Sequence, residues 1–289
     1  MNSFVIGVDI GGSHITAAVI DIEHRQILPH TICRRAVDAT GAAASLIAGW
    51  SAAINKCRET IASLDIFIGI AMPGPFDYDN GISYIREQDK FKTLYGVNVK
   101  EALAESLEIP PAHIRFLNDA AAFLEGEVFS GAVGGHQSAF GITLGTGFGS
   151  AFYKDGEATD ANLWCAPFKE GIAEDYFSTR WFLQQYTRKT GRQVSHVKEL
   201  AQMYPQDWTV KVLFREFGEN LASFLLETFS NELPQAVILG GNISRSFDYF
   251  YPFLQESLKK QMADVAVKKS TLYENASLLG AASCWSEQV

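Results

Sequence analysis

Three apolar runs of strand character in this chain stop abruptly at glycines: residues 4–9 before Gly11-Gly12, residues 138–144 before Gly145-Thr-Gly-Phe-Gly149, and residues 236–239 before Gly240-Gly241. A glycine just after a buried strand lets the backbone approach a ligand, and consecutive N–H groups in such a turn make a concavity suited to phosphate oxygens. Strands of this kind alternating with helical stretches point to an α/β architecture whose ligand sites lie at strand ends. The first two turns are expected inside hairpins, because strand-like residues follow each of them. Setting Gly11 against Gly145 also sets Ala17 against Ala151 and Asp21 against Asp155, a faint internal duplication. Taken singly, each glycine pair is equally an ordinary turn or strand stop.

A second feature is the junction Phe116-Leu-Asn-Asp-Ala-Ala-Ala. Residues 114–117 read as the end of a short buried strand, and the alanines and leucine of residues 120–124 as a helix start. Asn118 and Asp119 therefore stand where a side chain can reach a ligand. They also stand where Asn or Asp commonly caps a helix by accepting its orphan N–H groups, and both readings stay open on the residues alone.

Elsewhere, periodicity predicts helices over residues 42–61, 99–107, 173–187, 207–229 and 250–262, with a closely packed last helix near 278–283. Residues 63–72 read as a strand ended by Pro73-Gly-Pro75, while residues 76–98 and 160–171 read as loop. At 289 residues the chain has room for about two domains.

The formal charge of −9 and the scattered Lys and Arg exclude the basic stripe that nucleic-acid binding needs. No apolar run reaches membrane-spanning length and the N-terminal residues show no basic region before an apolar run, so a soluble intracellular, cytoplasmic protein is expected. Cys33, Cys57, Cys165 and Cys284 are widely spaced and suggest reduced thiols.

Two phosphate-binding patterns fail. No Gly-Lys-Ser/Thr follows a glycine at P-loop spacing, and Ser150 stands where a dinucleotide fingerprint needs its third glycine. The motifs instead resemble the ROK group of sugar kinases within the actin/hexokinase/Hsp70 superfamily. Val8-Asp-Ile-Gly-Gly-Ser13 is similar to that family's first phosphate motif, Leu144-Gly-Thr-Gly147 to its second, and Val237-Ile-Leu-Gly-Gly-Asn242 to its adenosine motif. Asn118-Asp-Ala with Gly126-Glu127 looks like the catalytic segment, and Ile70-Ala-Met-Pro-Gly-Pro75 like the sugar-side strand end.

The resemblance implies a two-domain actin-like (ribonuclease H-like) α/β fold with a cleft between domains. The expected division is residues 1–118 and 119–289, the last helix packing back on the first domain. It implies ATP and Mg²⁺ as cofactors and a hexose as substrate, glucose at its 6-hydroxyl or a related sugar. No nucleic acid or membrane partner is expected, and a homodimer is. Asp119 would be the catalytic base; Asn118, Pro73, Gly74 and Glu174 would contact sugar. Gly11, Gly12, Ser13, Gly145, Thr146 and Gly147 would hold phosphates, and Gly240, Gly241 and Asn242 the adenosine. Asp9 would stand near Mg²⁺ through water.

The family pattern also breaks. The usual Glu-x-Gly-His motif and Cys-rich zinc cassette are mostly missing: Asn162 takes the place of the glutamate, Cys165 that of the histidine, and only Gly171 and Glu174 survive, so no zinc is expected. Glu174 is also placed where a carboxylate favours a helix start. Ser13-His14 replaces a Thr-Lys pair, Ala121 a second Asn, and the loop of residues 86–92 could supply other sugar contacts. The rival expectation is a catalytically silent sugar sensor acting through a protein partner. A repressor-type helix-turn-helix domain is not expected, because this sequence enters its first strand within a few residues.

Overall fold

In a computed structural model, residues 3–61, 66–86 and 90–287 are described. The chain divides into two compact units, residues 1–134 with 274–289, and residues 135–273. This division differs from one at 118/119 by leaving the helix that follows Asn118 in the first unit, together with the last helix.

The first unit is built on a mixed sheet. β1 (Phe4–Ile10) forms an antiparallel hairpin with β2 (His14–Asp21), which also pairs with β3 (Gln26–Ile27) and β4 (Cys33–Ala36). Helix α1 (Ala43–Arg58) crosses to β5 (Phe67–Met72), parallel to β1. A small hairpin of β6 (Phe76–Asp77) and β7 (Ile82–Ser83) follows, in a stretch expected to be loop; two-residue strands are too short to show alternation. Helix α2 (Val99–Leu107) returns the chain to β8 (Ile114–Asn118), parallel to β5, and α3 (Asp119–Phe129) starts at once. Asn98 caps α2 by accepting the Glu101 N–H, and Glu108 closes it in the left-handed region.

One sheet face carries Ile6, Val8, Ile15, Val19, Ile68 and Ile70 against Trp50 and Ile54 of α1 and Leu103 of α2. The other face meets the last helix, Asn275–Ser283. Its approach depends on absent side chains: a methyl group at Gly69 would overlap the Ala281 carbonyl oxygen, and one at Gly280 the Ala122 carbonyl oxygen of α3. Gly280→Ala is expected to destabilise the fold by roughly 1–3 kcal/mol through overpacking, read from urea unfolding; an unchanged midpoint would contradict this packing.

The second unit repeats the plan. β9 (Ser138–Leu144) and β10 (Phe148–Lys154) form a hairpin extended by β11 (Glu157–Asp160). After the two-residue strands β12 (Pro167–Phe168) and β13 (Gly171–Ile172) come helices α4 (Ala173–Phe177), α5 (Thr179–Thr190), α6 (Val197–Met203) and α7 (Trp208–Thr228). β14 (Ala236–Gly240) pairs parallel to β9, and after α8 (Phe247–Leu258) the strand β15 (Ala266–Lys269) pairs parallel to β14. The helices bury an aromatic core of Phe148, Phe168, Phe177, Phe217 and Phe224.

Strand for strand the two sheets agree: β3-β2-β1-β5-β8 and β11-β10-β9-β14-β15 each run antiparallel, antiparallel, parallel, parallel. The offset that matches Gly11 to Gly145 carries Phe4–Ile10 onto Ser138–Leu144, so the faint sequence repeat marks a structural one. The helix expected over residues 173–187 is two helices, because Ser178 is extended (φ −113°, ψ 166°). Just past it, the Thr179 N–H and hydroxyl both donate to the Gly145 carbonyl (2.7 and 2.9 Å), tying α5 to the β9–β10 turn. Among the described residues no helix is long and apolar enough to cross a membrane.

Candidate active site

In the first unit the parallel strands β1, β5 and β8 end together, since Asp9 pairs with Ala71 and Ala71 with Leu117. Asp9, the Pro73-Gly74 turn and the Asn118-Asp119 junction therefore emerge along one sheet edge, where open α/β sheets bind ligands. Across the sheet, Asp9 pairs with Thr16 and Thr16 with Arg34, which sets these residues in a row on one face. The Arg34 guanidinium donates to Glu274 (2.6 Å), just ahead of the last helix. The Asp9 carboxyl is pushed up to about 7, chiefly by burial and next by the neighbouring Asp119 charge, with Arg34 opposing the rise and Glu274 adding to it.

Asn118 is the N-cap of α3. Its Oδ1 accepts the N–H groups of Ala120 and Ala121 (2.8 and 3.1 Å), while its Nδ2 donates to the Tyr78 hydroxyl (3.1 Å). Asp119 is the first helical residue, and its Oδ1 also accepts from Ala120 N–H (2.9 Å). Capping thus falls chiefly to Asn118, whose oxygen serves two donors. The β1–β2 turn is closed by Gly11 N–H donating to the His14 carbonyl (2.8 Å), which leaves Gly12, Ser13 and His14 exposed. Ser13 Oγ and His14 Nδ1 share a hydrogen bond of 2.8 Å.

In the second unit the Gly145-Thr146-Gly147 turn is held by Gly145 N–H donating to the Gly147 carbonyl (3.0 Å). Glu174, in the first turn of α4, folds against it: Oε2 accepts the Phe148 N–H (3.2 Å), and a side chain at Gly147 would stand 2.8 Å from that oxygen. The Glu174 carboxylate also lies 3.7 Å from Arg180. Beside this turn, Gly241 has φ +79°, and a Cβ there would overlap the Leu144 backbone. Gly240 pairs with Thr143, so both glycine turns of this unit sit at the ends of adjacent parallel strands. Asn242 leads into a 3₁₀ turn, and Ser244 Oγ donates to the Gly241 carbonyl (2.8 Å).

Asn162 lies in the left-handed region (φ 50°) and accepts the Trp164 indole N–H (2.8 Å), while Cys165 is exposed with its thiol 3.7 Å from the Asn162 carbonyl. Among the described residues, no three His, Cys, Asp or Glu side chains gather where they could hold a metal ion. Glu87, Gln88 and Asp89 of the loop expected to offer sugar contacts lie outside the described residues. Sequence reasoning passed over Arg34, Tyr78 and Glu274. Arg34 and Glu274 are far apart along the chain, and Tyr78 lies in a stretch without periodicity.

The model of the ROK family matches residues 5–288, nearly the whole chain. The chain belongs to the ROK family. This ROK protein is 27% identical over 328 residues to the glucokinase of Thermotoga maritima, an alignment covering 99% of this chain and 98% of the other. It is 22% identical to the N-acetyl-D-glucosamine kinase of Haemophilus influenzae, over 96% and 97% of the two chains. A ROK family glucokinase from Streptomyces griseus, solved in complex with glucose and AMPPNP, aligns with a TM-score of 0.76 at 23% identity, covering 97% of this chain and 98% of that one. The fold is the two-domain, actin-like α/β fold of the ROK sugar kinases.

Proposed function

We propose that this ROK protein is an ATP-dependent sugar kinase that transfers the γ-phosphoryl group to a hexose hydroxyl, the 6-hydroxyl of glucose or a related hexose, with Asp119 as general base. The observation that carries the reading is Asp119 at the first turn of α3, near enough to Asp9 for its charge to act on that carboxyl, at the ends of three parallel strands. Phosphoryl transfer asks mainly for positioning and charge stabilisation. Asp119 takes the proton of the sugar hydroxyl as that oxygen attacks the γ-phosphorus in line, and the bond to the ADP oxygen breaks.

Around that step, Asn118 orients the sugar, Pro73-Gly74 shapes the strand end beside it, and Glu174 holds a sugar hydroxyl. Backbone N–H groups of Gly11, Gly12 and Ser13 and of Gly145, Thr146 and Gly147 receive phosphate oxygens, and Gly240, Gly241 and Asn242 the adenosine. Asp9 fits a role beside magnesium. Its carboxyl is raised by burial and by a second carboxylate, the setting in which a divalent cation restores charge balance. Magnesium bound there would screen the phosphate charges.

The relatives named above are a glucokinase and an N-acetylglucosamine kinase, which frames the substrate as a hexose or an N-acetylated amino sugar. The test is ADP release with Mg-ATP and a panel of glucose, mannose, fructose, N-acetylglucosamine and N-acetylmannosamine. Turnover that depends on at least one of these sugars is expected. Sugar binding without turnover would sink the kinase reading and favour a sensor.

A further inference from the structure

Tyr78 follows β6 in the short hairpin beyond the Pro73-Gly74 turn. Its hydroxyl donates to the Met72 carbonyl at the end of β5 (3.1 Å) and accepts from Asn118 Nδ2 (3.1 Å). A phenol has one proton to give, so with that proton on Met72 its oxygen meets Asn118 only as an acceptor. At the opposite end of the amide, Oδ1 accepts two helix N–H groups, from Ala120 and Ala121. The amide orientation is thus specified from both sides. Turning it over would set N–H against N–H at the helix start and oxygen against oxygen at the phenol. The phenol is itself braced, because its ring packs on Phe76 (5.3 Å) and Phe76 on Phe116 of β8 (5.0 Å).

We propose that Tyr78 is a positioning residue for sugar recognition, acting by locking the side-chain amide of Asn118 beside the catalytic base. The inference rests on the sugar-kinase reading and adds a residue which that reading does not use. A locked amide meets sugar hydroxyls in one polarity at no cost in ordering on binding.

Tyr78→Phe removes the hydroxyl and keeps the ring. It is expected to raise the sugar KM roughly three- to tenfold, the size of one lost neutral hydrogen bond, with the ATP KM unchanged. In an Asn118→Ala background the same substitution should add nothing, because its partner is already gone. An unchanged sugar KM, an equal rise in both KM values, or additive effects in the double variant would overturn the proposal. If the wild-type protein shows no sugar-dependent ADP release, the kinase reading fails by itself. The lock is then decided by the Asn118 side-chain amide resonances of the free protein. Tyr78→Phe should shift them and leave those of Asn220, on α7 of the second unit, in place, and unmoved Asn118 signals would refute it.

Discussion

Asp119→Asn is expected to lower kcat for sugar phosphorylation by a factor of about 10² to 10⁴, the usual contribution of a positioned general base. The substitution removes basicity and little else. Helix α3 keeps its cap, since Asn118 Oδ1 serves Ala120 and Ala121, and an asparagine oxygen at 119 can still accept the Ala120 N–H. Thermal stability and the sugar KM should therefore stay close to wild type while turnover collapses. Steady-state kinetics beside a thermal melt separates these quantities. Full activity in the variant would remove Asp119 from its role, and a large fall in melting temperature would show that the side chain serves the fold.

Asp9→Asn is expected to stabilise the ligand-free protein at pH 8 by roughly 2–4 kcal/mol while abolishing efficient turnover. The sign follows from the carboxyl being held at about 7 in the folded chain, against an ordinary value of 3.8. Below about pH 4 both states carry the proton, and the folded chain bears no charge there. Between about pH 4 and 7 the unfolded chain has lost the proton and the folded chain keeps it, so stability falls as pH rises, then levels off. Burial contributes most to that loss, with the Asp119 charge next. Asparagine stays neutral throughout, so the variant's advantage should be near zero at pH 4 and full at pH 8. Urea unfolding at the two pH values measures it. An equal difference at both, or a less stable variant at pH 8, would mean that Asp9 is not a strained carboxylate. Such a group destabilises the free protein wherever its charge is forced on it by the surrounding pH.

Much of the fold was legible from local pattern. Residues 99–107 carry their cap at Asn98 and form α2 over the expected span, because a short amphipathic helix with a good N-cap needs no distant partner to define it. The repeat was also legible, from three identities spaced along one hairpin, since glycine turn and strand alternation recur together. The break at Ser178 was not legible, because nothing local forbids a continuous helix there; the hydrogen bonds of Thr179 to Gly145, more than thirty residues earlier, accompany it. The loops containing β6, β7, β12 and β13 were misread for a related reason: pairs this short are stabilised by their surroundings.

The amino-acid order alone settled that glycine turns end apolar strands and that Asn118 and Asp119 fall at a strand-to-helix junction, since turn chemistry and periodicity act over a few residues. Only the tertiary structure decided the company those residues keep. Strand register brings Arg34 into the row of Asp9, the chain's return brings Glu274 to Arg34, and a hairpin without periodicity delivers the Tyr78 hydroxyl to Asn118. The charge state of Asp9 is set by that assembly, because desolvation and neighbouring charge exist only once distant segments have packed together.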